Sequence, residues 1–202
     1  MKISSGGIIA ISIFGFIFLI VLIVLLSGVS IYNKLVTAEE NVNQSWANVQ
    51  NVYQRRSDLI PNLVATVKGV ANFEQSTLTA VIEARAKATS VNINPKNLDE
   101  ASLQKFQSAQ DGLSSALSRL MVVMERYPEL KATQNFSELQ AQLEGTENRI
   151  AVERRNFNEA AMGYNTYLRS FPRNMIAGMF GFQKKAYFEA QKGAEVPPKV
   201  QF

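Results

Sequence analysis

The side chains in this chain that could do chemistry are carboxylates, arginines and hydroxyls, because it contains no histidine and no cysteine. The commonest general base, the commonest metal ligand and the group that titrates near neutrality are therefore absent. Thiol nucleophiles, thiolate metal sites and disulfides are absent too. Glu144 and Glu147 lie three apart on one helical face, as paired carboxylates would, and Asp99 and Glu100 are adjacent near a helix start. A di-iron bundle needs Glu-x-x-His pairs, which cannot be built here. Serine, threonine and lysine are present, but with no strand–turn–helix elbow and no glycine-rich phosphate loop to activate them. The carboxylate pairs read as solvated helix faces. The tandem arginines Arg55-Arg56 and Arg154-Arg155 would suit an acidic partner or a lipid headgroup, although salt-laced helix surface explains them as simply. No catalytic residue, cofactor or metal is expected.

One block departs from plain helix chemistry. Gln54–Gly69, QRRSDLIPNLVATVKG, sits inside an apolar heptad run yet carries Arg55, Arg56, Asp58, Pro61 and Asn62. A proline inside a helix removes one backbone hydrogen bond and crowds the carbonyl four residues back, costing about 3 kcal/mol. A kink is expected at Asp58–Asn62, with freed carbonyls to be met by side chains or water. Two readings stand: a kinked bundle helix with a solvated charged patch, or a buried polar cluster or partner-docking surface at the kink.

The elements that would position this block begin with a membrane span. Ile8–Leu26 holds no charged residue and only Ser12 and Gly15 interrupt it. At about 1.5 Å per residue it reaches roughly 28 Å, close to the hydrocarbon thickness of a bilayer. Gly28-Val29-Ser30 offers a peptidase small residues, but the apolar run exceeds the roughly 7–15 residues of a signal h-region. With no cysteine after it, a lipoprotein is excluded, so an uncleaved single-pass anchor is expected. Lys2 against Lys34 leans weakly toward a cytoplasmic N-terminus with the large domain exported. Of the net charge of +4, Lys2 is the only charged residue before Lys34, leaving +3 on the rest. That small excess argues against nucleic acid as a partner.

Beyond the span, Leu35, Val42 and Val49 fall seven apart with Trp46 and Tyr53 between them, the pattern of an amphipathic helix. The stripe resumes with Ile60, Leu63, Val67 and Val70, and Arg56 occupies the core position between Val49 and Leu63. Gly69 loosens this helix, and Phe73, Leu78, Val81 and Ile82 predict its return as far as Thr89. Ser90–Lys96 reads as a loop, with Asn97 or Asp99 capping the next helix. Leu103, Phe106, Gln110, Leu113, Leu117, Leu120, Met124 and Tyr127 step by three and four, a heptad seam ended by Pro128. Glu129–Gln134 reads as a turn, with Asn135 capping the last long helix. Its seam runs Phe136, Leu139, Leu143, Thr146, Ile150, Glu153, Phe157, Ala160, Tyr164, Tyr167 and Phe171 up to Pro172. Glu153 on that seam needs a partner or an exit to water. Arg56 is the matching anomaly, so the two are expected to pair, or to find equivalent partners in one layer; snorkelling out of the seam is the alternative. After Pro172, Met175–Phe188 crowds Phe180, Phe182 and Phe188 around glycines beside Lys184 and Lys185. This tail is expected to cap the bundle, to dock on a neighbouring subunit or to lie on lipid headgroups. Val196–Phe202 reads as an extended terminus.

These residues resemble the LemA family of bacterial membrane proteins. The matching pieces are Tyr32–Val36, Trp46, the Gln54–Gly69 block, Tyr127–Lys131, Asn135-Phe136, Leu143–Ile150, Tyr164-Asn165 and Phe180–Phe182, in order along the domain. The resemblance implies an antiparallel bundle of about four helices in the bacterial cytoplasmic membrane. It implies no reaction, and it sets the short N-terminus outside, against the charge-based lean.

The expected architecture is thus all-α: residues 1–31 as tail and transmembrane helix, 32–172 as an antiparallel bundle of about four long helices with coiled-coil-like packing, and 173–202 as an aromatic and basic tail. The expected function is a membrane-anchored scaffold without catalytic activity. It would be held in the lipid bilayer through residues 8–26, and would assemble with itself and with an unidentified membrane or envelope protein. The alternative is a sensor or ligand-binding bundle with its polar site at the Pro61 kink.

Overall fold

A computed structural model describes residues 5–69, 73–95 and 98–189, with side chains from residue 13 onward. The described chain is all helix and connecting segments. The helices are α1 (Ser5–Lys68), α2 (Gln75–Ser90), α3 (Glu100–Met124), α4 (Pro128–Lys131), α5 (Gln134–Arg169) and α6 (Arg173–Met179). Val70, Lys96, Asn97 and Val196–Phe202 lie outside the described residues. The chain forms two compact units. One holds the described residues up to Asn41 with Gly163–Lys184; the other holds Val42–Met162 with the described residues from Lys185.

In the first unit, α1 carries a run of exposed large apolar side chains from Ile13 to Leu26. Its most apolar 18-residue window has a mean hydropathy of 2.9, enough with its length to cross a membrane. Pro61 lies inside α1, and the helix continues past it to Lys68.

The second unit is a bundle in which the rest of α1, α2, α3 and the first part of α5 run antiparallel to their neighbours. The heptad stripes are its core: Ile60, Leu63 and Val67 of α1 pack with Leu78 and Val81 of α2, Leu113, Leu117 and Leu120 of α3, and Phe136 and Leu143 of α5. Burial of these side chains, at about 25 cal/mol per Å² of apolar surface, drives the helices together. A second, aromatic layer surrounds Trp46, whose ring lies 5.2 Å from that of Phe106, 5.7 Å from that of Phe157 and 6.1 Å from that of Phe188.

Helix ends follow their local chemistry, with some departures from the sequence reading. Asp99 caps α3, its side chain accepting from the Ser102 amide at 2.8 Å. Pro128–Lys131 is a short helix, since proline suits the first turn where no donor is needed. Asn135 is not a cap, because α5 already begins at Gln134. On α5 the buried position is Ala161, with Ala160 only half-buried, and Phe171, beyond the helix end, is 80 % exposed. A three–four pattern extrapolated to Phe171 runs past the point where the chain turns into α6.

Candidate functional site

Arg56 is the centre of the polar chemistry inside the bundle. Its heptad position points it into the core, where it is 1 % exposed. Nη1 donates to Ser114 Oγ at 2.7 Å and to Glu147 Oε2 at 2.9 Å. Nη2 donates to Gln110 Oε1 at 2.7 Å and to the Gln110 carbonyl at 3.3 Å. The Gln110 amide in turn donates to the Ala88 carbonyl at 3.3 Å, one of the last carbonyls of α2, which have no partner within their own helix. One network therefore ties α1, α2, α3 and α5 together. Beneath it, the Tyr53 ring centroid lies 5.1 Å from the guanidinium carbon, within cation–π range. Burial pushes the Tyr53 phenol above its ordinary value, against the opposing fields of Arg154 and Arg56.

The pairing of Arg56 with Glu153 is not what forms. Arg56 takes Glu147, while Glu153 is half-buried and accepts from Asn156 Nδ2 at 3.2 Å on its own helix. Glu147, read from sequence as a solvated carboxylate, is 52 % exposed at its side chain, so it reaches inward from the bundle edge and keeps part of its hydration. Of the other residues singled out in the block, Arg55, Asp58, Pro61 and Asn62 all lie on the exposed face of α1. The buried cluster narrows to Arg56, joined by Gln110, Ser114 and Glu147, which sequence reasoning did not connect to it. Gln110, a polar residue in an otherwise apolar seam, was the available signal.

Pro61 does act through the carbonyl it abandons. Without an amide hydrogen at 61, the Ser57 carbonyl four residues earlier has no helical donor, and Arg85 Nε of α2 fills the place at 2.9 Å. Arg85→Met is expected to cost about 1–2 kcal/mol by leaving that carbonyl unmet. Pro61→Ala restores a donor to the same carbonyl, so in the Arg85→Met background it should recover most of the loss. A double-mutant cycle by chemical denaturation reads the coupling; additive effects would show that Arg85 does not answer the proline.

The aromatic tail divides. Phe188 is buried in the layer around Trp46 and Phe157, with the Arg154 guanidinium carbon 4.7 Å from its ring centroid. Residues 185–189 form no regular secondary structure and are held by side-chain clamps on backbone. Asn158 accepts from the Phe188 amide at 2.8 Å and donates to its carbonyl at 3.0 Å; Arg154 donates to the Glu189 carbonyl at 2.8 Å. The Ala186 amide donates to the Leu98 carbonyl at 2.9 Å, and Lys185 is buried. This segment packs against the bundle of its own unit. In the first unit, Phe180 and Phe182 lie against Tyr32, at 4.8 and 5.7 Å between ring centroids, and Lys184 is exposed.

Beside the Arg56 network, α3 and α5 part to leave a cleft of about 1150 Å³, lined by Ser108, Asp111 and Ser118 from α3, by Gln140 and Glu144 from α5, and by Arg56. Among the described residues, no three carboxylates gather as a metal site would require.

The model of the LemA family matches residues 45–202. The chain belongs to the LemA family. Two similar proteins are magnetosome protein MamQ 2 of Paramagnetospirillum magneticum, 27 % identical over 183 residues, and protein LemA of Metamycoplasma hominis, 24 % identical over 160 residues. The matches cover 82 % of this chain and 67 % of the MamQ protein, and 79 % and 69 % for the mycoplasma one. None of these names is that of an enzyme. With its apolar first helix, the LemA-family chain is membrane-associated. The LemA match spans all four members of the polar network and the 185–189 segment, which are thus parts of the family domain rather than of an appendage.

Proposed function

We propose that this LemA-family protein is a membrane-anchored helical scaffold, single-pass in the bacterial cytoplasmic membrane, that works by protein–protein contact and assembles with copies of itself. One observation carries the reading: the polar group most suggestive of a site, Arg56, has both Nη atoms of its guanidinium engaged by α3 and α5 of its own bundle, and Gln110 extends the network to α2. With both Nη atoms occupied and the residue 1 % exposed, the guanidinium is poorly placed to meet a substrate, so the cluster acts as an internal clasp and the work falls to the surfaces. Photo-crosslinking in cells from exposed bundle positions such as Ser118 tests this, with adducts of protein size expected. Adducts only to lipid, or none from any position, would contradict it.

A second reading is favoured by the cleft between α3 and α5, which is large enough for a small ligand or an extended peptide and reaches Arg56. Its polar site lies at the clasp rather than on the Pro61 face, since Asn62 is exposed and takes no part in it. A ligand there would raise the unfolding midpoint of the wild-type chain and fail to do so for Ser118→Arg, a substitution on the cleft wall outside the clasp.

A further inference from the structure

We infer that α6 and its flanking residues are an interfacial element lying in the headgroup layer of the same bilayer that α1 crosses; the inference rests on the membrane-anchor reading of α1. The first observation is position. The apolar run of α1 ends at Leu26, and a Cβ at Gly28 would stand 3.7 Å from Ile176 Cδ1 of α6. Tyr32 then packs on Phe180 and Phe182. With a rise of about 1.5 Å per residue, Gly28 and Tyr32 lie roughly 3 and 9 Å past the run along the helix axis. Headgroup regions occupy roughly 5–8 Å on each side of the hydrocarbon, so the attachment of α6 runs from within that layer to its outer edge.

The second observation is the direction of its apolar side chains. Ala177 is buried and Ile176 faces α1, yet the opposite side is no more polar. Met175 and Met179, four apart on one face of α6, are 61 and 81 % exposed, and Phe171 just before the helix and Phe180 just after it are 80 and 61 % exposed. A water-facing stripe beside a packed one is ordinarily charged. Large apolar groups grouped here, next to the span, mark a surface meant for an apolar medium.

The third observation is charge. Gly163–Lys184 contains Arg169, Arg173 and Lys184 and no aspartate or glutamate. Arg173 is held over the Tyr167 ring, 4.2 Å from its centroid, while Arg169 and Lys184 are exposed. An apolar stripe flanked by cations, with aromatic rings between, is the composition of an interfacial segment on anionic lipid.

The absence of cysteine makes the test clean. Single-cysteine variants of the full chain, Met179→Cys, Ile20→Cys and Ser118→Cys, each labelled with an environment-sensitive dye, are reconstituted into vesicles of phosphatidylcholine with and without phosphatidylglycerol. Quenching by lipids carrying a spin label near the headgroup or at the bilayer centre reads depth. Expected is loss of most emission at 179 to the shallow quencher, more so with the anionic lipid, with 20 quenched by the deep label and 118 by neither. Quenching at 20 but not at 179 overturns the inference and leaves the anchor standing, whether the dye at 179 is in water or shielded by protein. Quenching at neither position overturns the anchor reading and the inference with it.

Discussion

Replacing Arg56 by alanine is expected to destabilise the bundle by about 2–5 kcal/mol, the range for truncating a large buried side chain and opening a core cavity. The truncation removes the donors met by Ser114, Glu147, and the side chain and carbonyl of Gln110, and it leaves space in a layer shared by all four long helices. Arg56→Met should cost far less, because it fills the volume and Glu147, already half exposed, can return to water. Glu147→Gln should cost at most about 1 kcal/mol, as exposed ionic partners usually do, since glutamine keeps an acceptor for Nη1. Chemical denaturation of the detergent-solubilised chain, followed by circular dichroism, ranks the three. An alanine variant that unfolds at the wild-type midpoint would show that Arg56 is not the clasp described.

Phe188→Ala is the second large effect, expected at about 3–5 kcal/mol for a buried phenylalanine in a packed core. The ring fills space against Trp46 and Phe157 and lies under Arg154, so its loss opens the aromatic layer. Asn158→Ala should give a smaller loss, about 1–3 kcal/mol, by removing two bonds to the Phe188 backbone. Proteolysis should then cut the tail selectively in either variant. A change under about 1 kcal/mol for Phe188→Ala would mean that the tail rests on the bundle without belonging to it.

Much of the architecture was legible because heptad periodicity is a local signal. The α3 seam from Leu103 to Met124 is buried as its spacing predicts, and Arg56 lies at the core position its register assigns. Partner choice was not legible in the same way. Whether Arg56 meets Glu147 or Glu153 depends on how α5 is shifted along α1, and both carboxylates lie on one long helix with similar neighbours. The role of Arg85 was hidden for a like reason: a proline announces a vacant carbonyl at Ser57, but not which residue from another helix will reach it. The tail illustrates a third limit. Phe188 and Phe180 look alike in sequence, yet one is buried beside Trp46 and the other, at the end of α6, is 61 % exposed; composition alone does not separate them. The compact units themselves are each assembled from two distant stretches of chain, a division no linear reading draws.

The central claim is that the polar interior serves structure and that the bundle works through contact, with copies of itself among its partners. Light scattering on the full chain in detergent, corrected for bound detergent, tests it most directly. A protein mass at least twice the 22.5 kDa of one chain is expected. A single-chain mass at every concentration and in every mild detergent would contradict it.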